Sequence, residues 1–154
     1  MPVMWLSKEK CMNMLPFQAF GHLATVGEDN RPYVTPLNYV YFDNAIYFHT
    51  KFTGRKLENI RRNSRVSFNI CAKGNLYVSE KACGFSMRFW SILIEGRAEE
   101  VTDPSVKRTA IEELMNKYGR GFEFEPATDE DIAKVNVVRI EIEEMTGKMG
   151  VDPQ

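Results

Sequence analysis

The segment FHTKFTGRKLENI, Phe48 to Ile60, gathers residue types suited to anion binding: hydroxyls at Thr50 and Thr53, an ammonium at Lys51, Gly54, and the adjacent cations Arg55 and Lys56. Leu57 and Ile60 are spaced as the apolar face of a helix starting near Thr53. A helix start is already the positive end of its dipole, so two cations in the first turn are locally unfavourable. Backbone N–H groups there point outward and attract anions, and a phosphate would turn both cations into ligands. Arg55 offers a planar fork matched to phosphate oxygens, and Gly54 lets the backbone come close. Two other readings stay open on these residues alone. Lys51, Arg55, Lys56, Arg61, Arg62 and Arg65 would also serve as a solvated basic face. Nucleic-acid binding is the other, and it needs more basic surface or interleaved aromatics than this helix carries.

Composition narrows the setting. A chain of 154 residues with 44% hydrophobic and 12% aromatic content is expected to form one packed domain spanning residues 1–154. Its 20 basic and 21 acidic residues give a net charge of -1, so no long-range field draws it to nucleic acid or an acidic membrane. Cys11, Cys71 and Cys83 form no C-x-x-C pair and have no histidine at zinc spacing, so no metal site is expected and free thiols in a reducing cytosol are the simplest reading. Cys71 and Cys83 are expected to pack as small apolar residues. The stretch MPVMWLSKEKCMNML places charges inside what would be the apolar part of a signal peptide, and no apolar run approaches a membrane span. A soluble, cytoplasmic protein is expected, and no serine, histidine and acid set suggests a hydrolase.

The elements that must position the basic segment are mostly strands. Ser7 caps a short helix to about Leu15, and Phe20 to Val26 reads as a strand closed by the turn GEDN. Pro32 to Phe42 reads as one long β-branched and aromatic strand, and Asp43-Asn44 signals a two-residue hairpin before AIYFHT. RVSFNICA, a polar loop, and FSMRFWSILIEGRAEEV follow the basic helix. Asp103-Pro104 then opens a helix with Val106, Ala110, Ile111, Leu114 and Tyr118 on one side and a stop at Gly119. GRGFEFEPATDED reads as a loop with at most one helical turn, and VNVVRIEIEEM as a half-exposed strand. About six strands with short helices suggest a closed or nearly closed barrel, because closure removes edges. Pro36 removes an N–H from its strand and suits a bulge where a ligand would find Thr35, Leu37 and Asn38 groups free of sheet pairing; an ordinary edge strand is the alternative. His22, in an apolar strand, is expected to be a hydrogen-bonded structural histidine. Of Phe89 and Trp90, one should face the core and the other away.

The order GHLAT, PYVTPLNY, FHT with GRK, NSRVSF, WSILIEGRAEEV and a closing TGK resembles the FMN-binding split-barrel proteins of the pyridoxamine 5'-phosphate oxidase superfamily. The branch related to 5-nitroimidazole resistance proteins is the most similar. The resemblance, over roughly residues 16–148, implies a mainly β fold: a split barrel of about six strands with short flanking helices. It implies FMN as cofactor, its phosphate held by Arg55 and Lys56, with His49, Thr50 and Lys51 along it. It implies that Val34, Thr35, Pro36, Leu37 and Asn38 present backbone groups to the isoalloxazine edge, and that Ser91 contacts cofactor from one subunit or the other. His49 either packs against the flavin or acts catalytically as a proton donor. Family barrels pair as homodimers with FMN between them, using a small-molecule electron donor such as NAD(P)H and a small organic acceptor, a nitro compound among the candidates. A non-catalytic flavin carrier or sensor is the rival expectation. Pyridoxamine phosphate oxidation is another, although EEMTGKMGVDPQ lacks the Trp and Arg segment with which those oxidases hold substrate.

Overall fold

The computed structural model describes residues 2–152. Strands β1 (Val3–Leu6), β2 (Gly21–Val26), β3 (Pro32–Leu37), β4 (Val40–Phe42), β5 (Ala45–Thr50), β6 (Arg65–Tyr77), β7 (Ser86–Glu100) and β8 (Asn136–Gly150) alternate with helices α1 (Lys8–Met14), α2 (Arg55–Arg62), α3 (Pro104–Tyr118) and α4 (Asp129–Ala133). All eight strands belong to one antiparallel sheet in the order β3-β2-β6-β7-β8-β5-β4, with β1 added to β8. The count of about six expected from sequence is therefore too low by two strands. The stretch VMWL is too short to show a period, yet the end of β8 offers it an edge at Gly147–Gly150.

The second extra strand arises because Pro32 to Phe42 is two strands. β3 pairs with β2 and β4 pairs with β5, so the chain changes partner at Asn38 and Tyr39. The two ends of the sheet path are thus joined covalently through two residues. That link reaches only about 10 Å, so the sheet must curl until its ends meet. The corner is pinned from α3: the Tyr118 hydroxyl accepts from Tyr39 N at 2.9 Å, and Lys117 Nζ donates to Tyr39 O at 2.9 Å. Lys117 Nζ also lies 3.7 Å from the Tyr39 ring centroid, and burial pushes its pKa down to about 8.

Inside the curl, Leu23, Phe68, Ile94 and Ile140 come from alternate strand positions and are buried with Tyr39, Ile46 and Phe48. β5 is covered on both faces, since Ala45 and Tyr47 meet Ala110 and Leu114 of α3 on the outside. Asp103 caps α3 ahead of Pro104, as expected. Gly119 ends it with an ordinary right-handed φ of -85°. Thr128 and Asp131 form a capping box for α4. Asp43 and Asn44 both take positive φ, the geometry a two-residue hairpin requires. Cys11 is buried, but Cys71 and Cys83 are exposed, contrary to expectation: Cys71 lies opposite Ser91 on the sheet's outer face and Cys83 in a 3-10 turn.

Candidate functional site

The helix α2 begins at Gly54, whose φ of 129° is open to glycine and strained for other residues. No side chain caps this end, a Cβ at Gly54 would meet nothing within 4 Å, and Leu57 N–H turns back to Gly54 O at 2.9 Å. Leu57 and Ile60 are buried and hold the helix to the barrel, while Asn59 Nδ2 donates to Thr25 Oγ1 of β2 at 2.9 Å. The cations divide by position. Arg61 pairs with Glu100 at 2.6 Å and Arg62 with Glu28 at 2.7 Å, both near the C-terminal end of α2. Among the described residues Lys51, Arg55 and Lys56 form no ion pair. Arg65, after the helix, forms none either, so pairing singles out Arg61 and Arg62, and the positive end of the dipole is where unpaired cations are least favourable.

Arg55 spans toward β3, its guanidinium carbon 4.6 Å from the Tyr33 ring centroid. β3 ends the sheet path, so one of its edges has no partner strand among the described residues. Its register with β2 is continuous, Pro32↔Val26 to Leu37↔Gly21, so Pro36 marks an edge and no bulge. Pro32 and Pro36 have the same parity, and no ladder bond is lost if both ring nitrogens point away from β2. In that arrangement Val34 would direct its N–H and C=O to the free edge. Thr35 and Leu37 stand in register with Leu23 and Gly21 of β2, as in the ordinary edge strand given above as the alternative. The Val34 side chain is 58% exposed on the outer face.

The last β4–β5 rung is Val40↔Tyr47. Thr50 closes β5 opposite Asn136 and is buried, while His49 is exposed on the other face of the strand. The corner at Asn38 and Tyr39 joins β3 to β4, and Lys51 to Gly54 join the end of β5 to the start of α2. Of the residues expected along a flavin, Arg55 and Lys56 open α2 and Lys51 precedes it, His49 and Thr50 face opposite sides of β5, and Val34 to Leu37 lie on the edge strand β3 with Asn38 after it.

Ser91 is not in that group. It lines a separate hollow of about 290 Å³ with Trp5, Asn69, Leu93, Thr146 and Lys148, and its hydroxyl accepts from Asn69 Nδ2 at 3.0 Å. Trp90 packs against the core on the opposite face, as alternation requires. His22 lies on the outer face with its ring edge-on to Phe20 at 5.6 Å, so aromatic contact takes the place of the hydrogen-bonded role expected for it. Sequence reading missed Tyr33, the aromatic floor under Arg55. It lies inside the quoted PYVTPLNY, one residue before Val34, and nothing local marks it.

Glu100 fixes the far end of α2. Its carboxylate accepts from Arg61 at 2.6 and 2.9 Å and from Asn136 Nδ2 at 2.5 Å. The Arg61 hydrogen bond, opposed by burial and aided by Asn136, holds its pKa below the ordinary 4.5. A depressed acid stabilises the fold above its unfolded pKa, and that stability is lost as pH falls through the lowered value. Glu100→Gln is therefore expected to reduce stability at neutral pH and to flatten the acid limb of a stability-against-pH curve. Urea melts of both proteins across pH 3 to 7 (roughly the carboxylate range) check this, and parallel curves would remove the role given to Glu100.

A phosphate-bearing group fits these residues: an uncapped helix start, three unpaired cations and open space in front of Gly54. Among the described residues no helix is long and apolar enough to cross a membrane, and no cluster of metal-ligating side chains occurs. No curated protein sequence matches the chain. Among solved structures, it is similar to an FAD-binding protein from Mesorhizobium loti, with 29% identity, a TM-score of 0.73 and coverage of 98% of this chain and 100% of that one. A candidate 5-nitroimidazole antibiotic resistance protein from Bacteroides thetaiotaomicron shares the fold at 24% identity and TM-score 0.81, over 96% and 87% of the two chains. An FAD- and heme-binding protein from Mycobacterium smegmatis does so at 18% and 0.84, over 95% and 72%. The pyridoxamine 5'-phosphate oxidase family model matches residues 7–149, and with that match the mainly β antiparallel architecture and the order of motifs agree: the chain belongs to the pyridoxamine 5'-phosphate oxidase family.

Proposed function

We propose that this protein binds a flavin nucleotide through its phosphate at the start of α2 and works as an oxidoreductase on a small organic acceptor. The observation that carries the reading is the set of unpaired cations at an uncapped, glycine-led helix start. FMN is the smallest flavin that brings a phosphate to it. Lys51, Arg55 and Lys56 would hold the phosphate, with the Thr50 hydroxyl beside them. Val34 N–H and C=O and the backbone at Asn38 would orient the ring system along the free edge of β3. The FAD-binding relative and the family support a flavin as the cofactor.

A bound flavin supplies hydride acceptance from a donor such as NAD(P)H and electron delivery to an acceptor, a nitro compound being the candidate suggested by the fold relative. The chain's own part is binding, orientation and proton supply. His49, exposed at the end of β5, would give a proton to the reduced acceptor from an imidazole nitrogen. His49→Asn is expected to lower turnover with flavin affinity nearly unchanged. An equal loss of flavin affinity, measured by fluorescence titration, would mark His49 as a packing residue instead.

The split barrel would pair with a second copy of the chain. Val34, Trp5 and Leu93 are exposed apolar side chains on outer strand positions, and Ser91 lines a hollow apart from the cations within one chain, so a partner subunit is the natural means of bringing it to the flavin. The visible absorption spectrum of the purified protein, before and after adding FMN, tests the central claim. Flavin bands that stay with the protein through gel filtration are expected. A colourless protein that takes up no added flavin would overturn it.

A further inference from the structure

Arg55 and Asn59 are four residues apart on α2, so they lie on one face of the helix, with Asn59 one turn behind the start. Thr25 and Tyr33 stand opposite each other in the β2–β3 ladder. Cβ atoms one helix turn apart and Cβ atoms across a strand pair are both separated by roughly 5 Å, so the two pairs can meet at once. They do. Asn59 Nδ2 donates to Thr25 Oγ1 at 2.9 Å, and the Arg55 guanidinium carbon lies 4.6 Å from the Tyr33 ring centroid. The Thr25 hydroxyl donates in turn to Tyr33 O at 3.4 Å and closes the square.

The polar side of this square is buried, with Thr25 2% and Asn59 5% exposed. Asparagine is a weak helix former, and Leu57 and Ile60 already supply the apolar anchor of α2, so packing alone gives no reason for an amide there. A buried hydrogen bond has a direction that apolar contact lacks, and it selects one rotation of the helix about its axis. That rotation is the one that sets Arg55 over Tyr33. A guanidinium held on an aromatic face keeps its N–H groups at the rim for a ligand. It has also already given up the rotamer freedom that an unheld arginine loses on binding.

Resting on the flavin reading above, we propose that Thr25, Asn59 and Tyr33 are positioning residues for Arg55: they preset its guanidinium for the phosphate and so set the preference for a phosphorylated flavin over riboflavin. All three act through Arg55. Ordering one long side chain on binding costs a factor of roughly 2 to 12 in affinity, so losing the preset arrangement weakens FMN binding about threefold to tenfold. The effect vanishes where Arg55 is absent.

Titrations of FMN and riboflavin into the wild type, Thr25→Val, Thr25→Ser and Tyr33→Leu, each with Arg55 kept and in an Arg55→Ala background, test it. Valine keeps the shape of threonine without the hydroxyl, and serine keeps the hydroxyl. Thr25→Val and Tyr33→Leu are expected to weaken FMN about threefold to tenfold, with Thr25→Ser close to the wild type and riboflavin unchanged throughout. In the Arg55→Ala background any further loss of FMN affinity should stay within about twofold. Tyr33→Leu changes a half-buried ring and leaves the Asn59–Thr25 hydrogen bond in place, so it decides the matter if melting curves show Thr25→Val unfolded. Equal losses for FMN and riboflavin, losses as large without Arg55, or FMN affinity unchanged by both variants would overturn the positioning role and leave the flavin site standing. A wild type that takes up no FMN would overturn both.

Discussion

Replacing Arg55 or Lys56 with alanine is expected to weaken FMN binding by about 1.5 to 3 kcal/mol, roughly tenfold to a hundredfold, because each removes a charge-assisted hydrogen bond to phosphate. Riboflavin has no phosphate, so its weaker binding should be nearly indifferent to either change. The two residues should differ without ligand. Lys56 is an unpaired cation in the first turn of α2, and Lys56→Ala should leave the apo protein unchanged or slightly more stable. Arg55 also lies over Tyr33 at 4.6 Å, so Arg55→Ala gives up a cation–π contact and should lose a little apo stability. Arg55→Lys keeps the charge but not the planar fork and should fall between. Isothermal titration of both ligands into each protein, with thermal melts of the apo forms, checks these statements. Equal losses for FMN and riboflavin would show that the pair does not hold the phosphate.

The second large effect belongs to the barrel interior. Phe68 is fully buried, edge-on to Tyr39 with centroids 5.1 Å apart, and pairs in register with Leu23 and Ile94. Phe68→Ala should cost about 3 to 5 kcal/mol of stability, a fall in melting temperature of roughly 6 to 20 °C for a chain of this size. Gly21 explains why the ring fits, since a Cβ there would overlap the Phe68 ring. Gly21→Ala should therefore destabilise the wild type by overpacking. In the Phe68→Ala background the added methyl enters the vacated space, so the double variant should be more stable than the sum of the two losses implies. Strict additivity in a double-mutant cycle would mean that the barrel relaxes around the methyl without using that space.

The local elements were legible because their signals are short-range. Ser7, Asp103 with Pro104, and Asp43-Asn44 act within one turn of the backbone, and each does in the structure what its residue type demands. The basic start of α2 was legible for the same reason, as a conflict between side-chain charge and helix dipole within four residues. Burial was less so: nothing next to Cys71 or Cys83 in the chain says that one faces out of the sheet and the other rides on a turn.

What only the tertiary structure decided are relations between distant strands. Pro32 to Phe42 looks continuous in hydrophobicity, but its halves pair with β2 and β5, and a partner change leaves no local mark beyond the corner itself. β1 exists because β8 runs on to Gly150 and offers an edge. That Arg61 and Arg62 find carboxylates while Arg55 and Lys56 do not depends on Glu100 and Glu28, which arrive from β7 and from the turn after β2. Sequence determined which charges stand at the helix start. Packing determined which of them remain free to bind a ligand, because pairing is settled by neighbours in space and those are set by the register of the sheet.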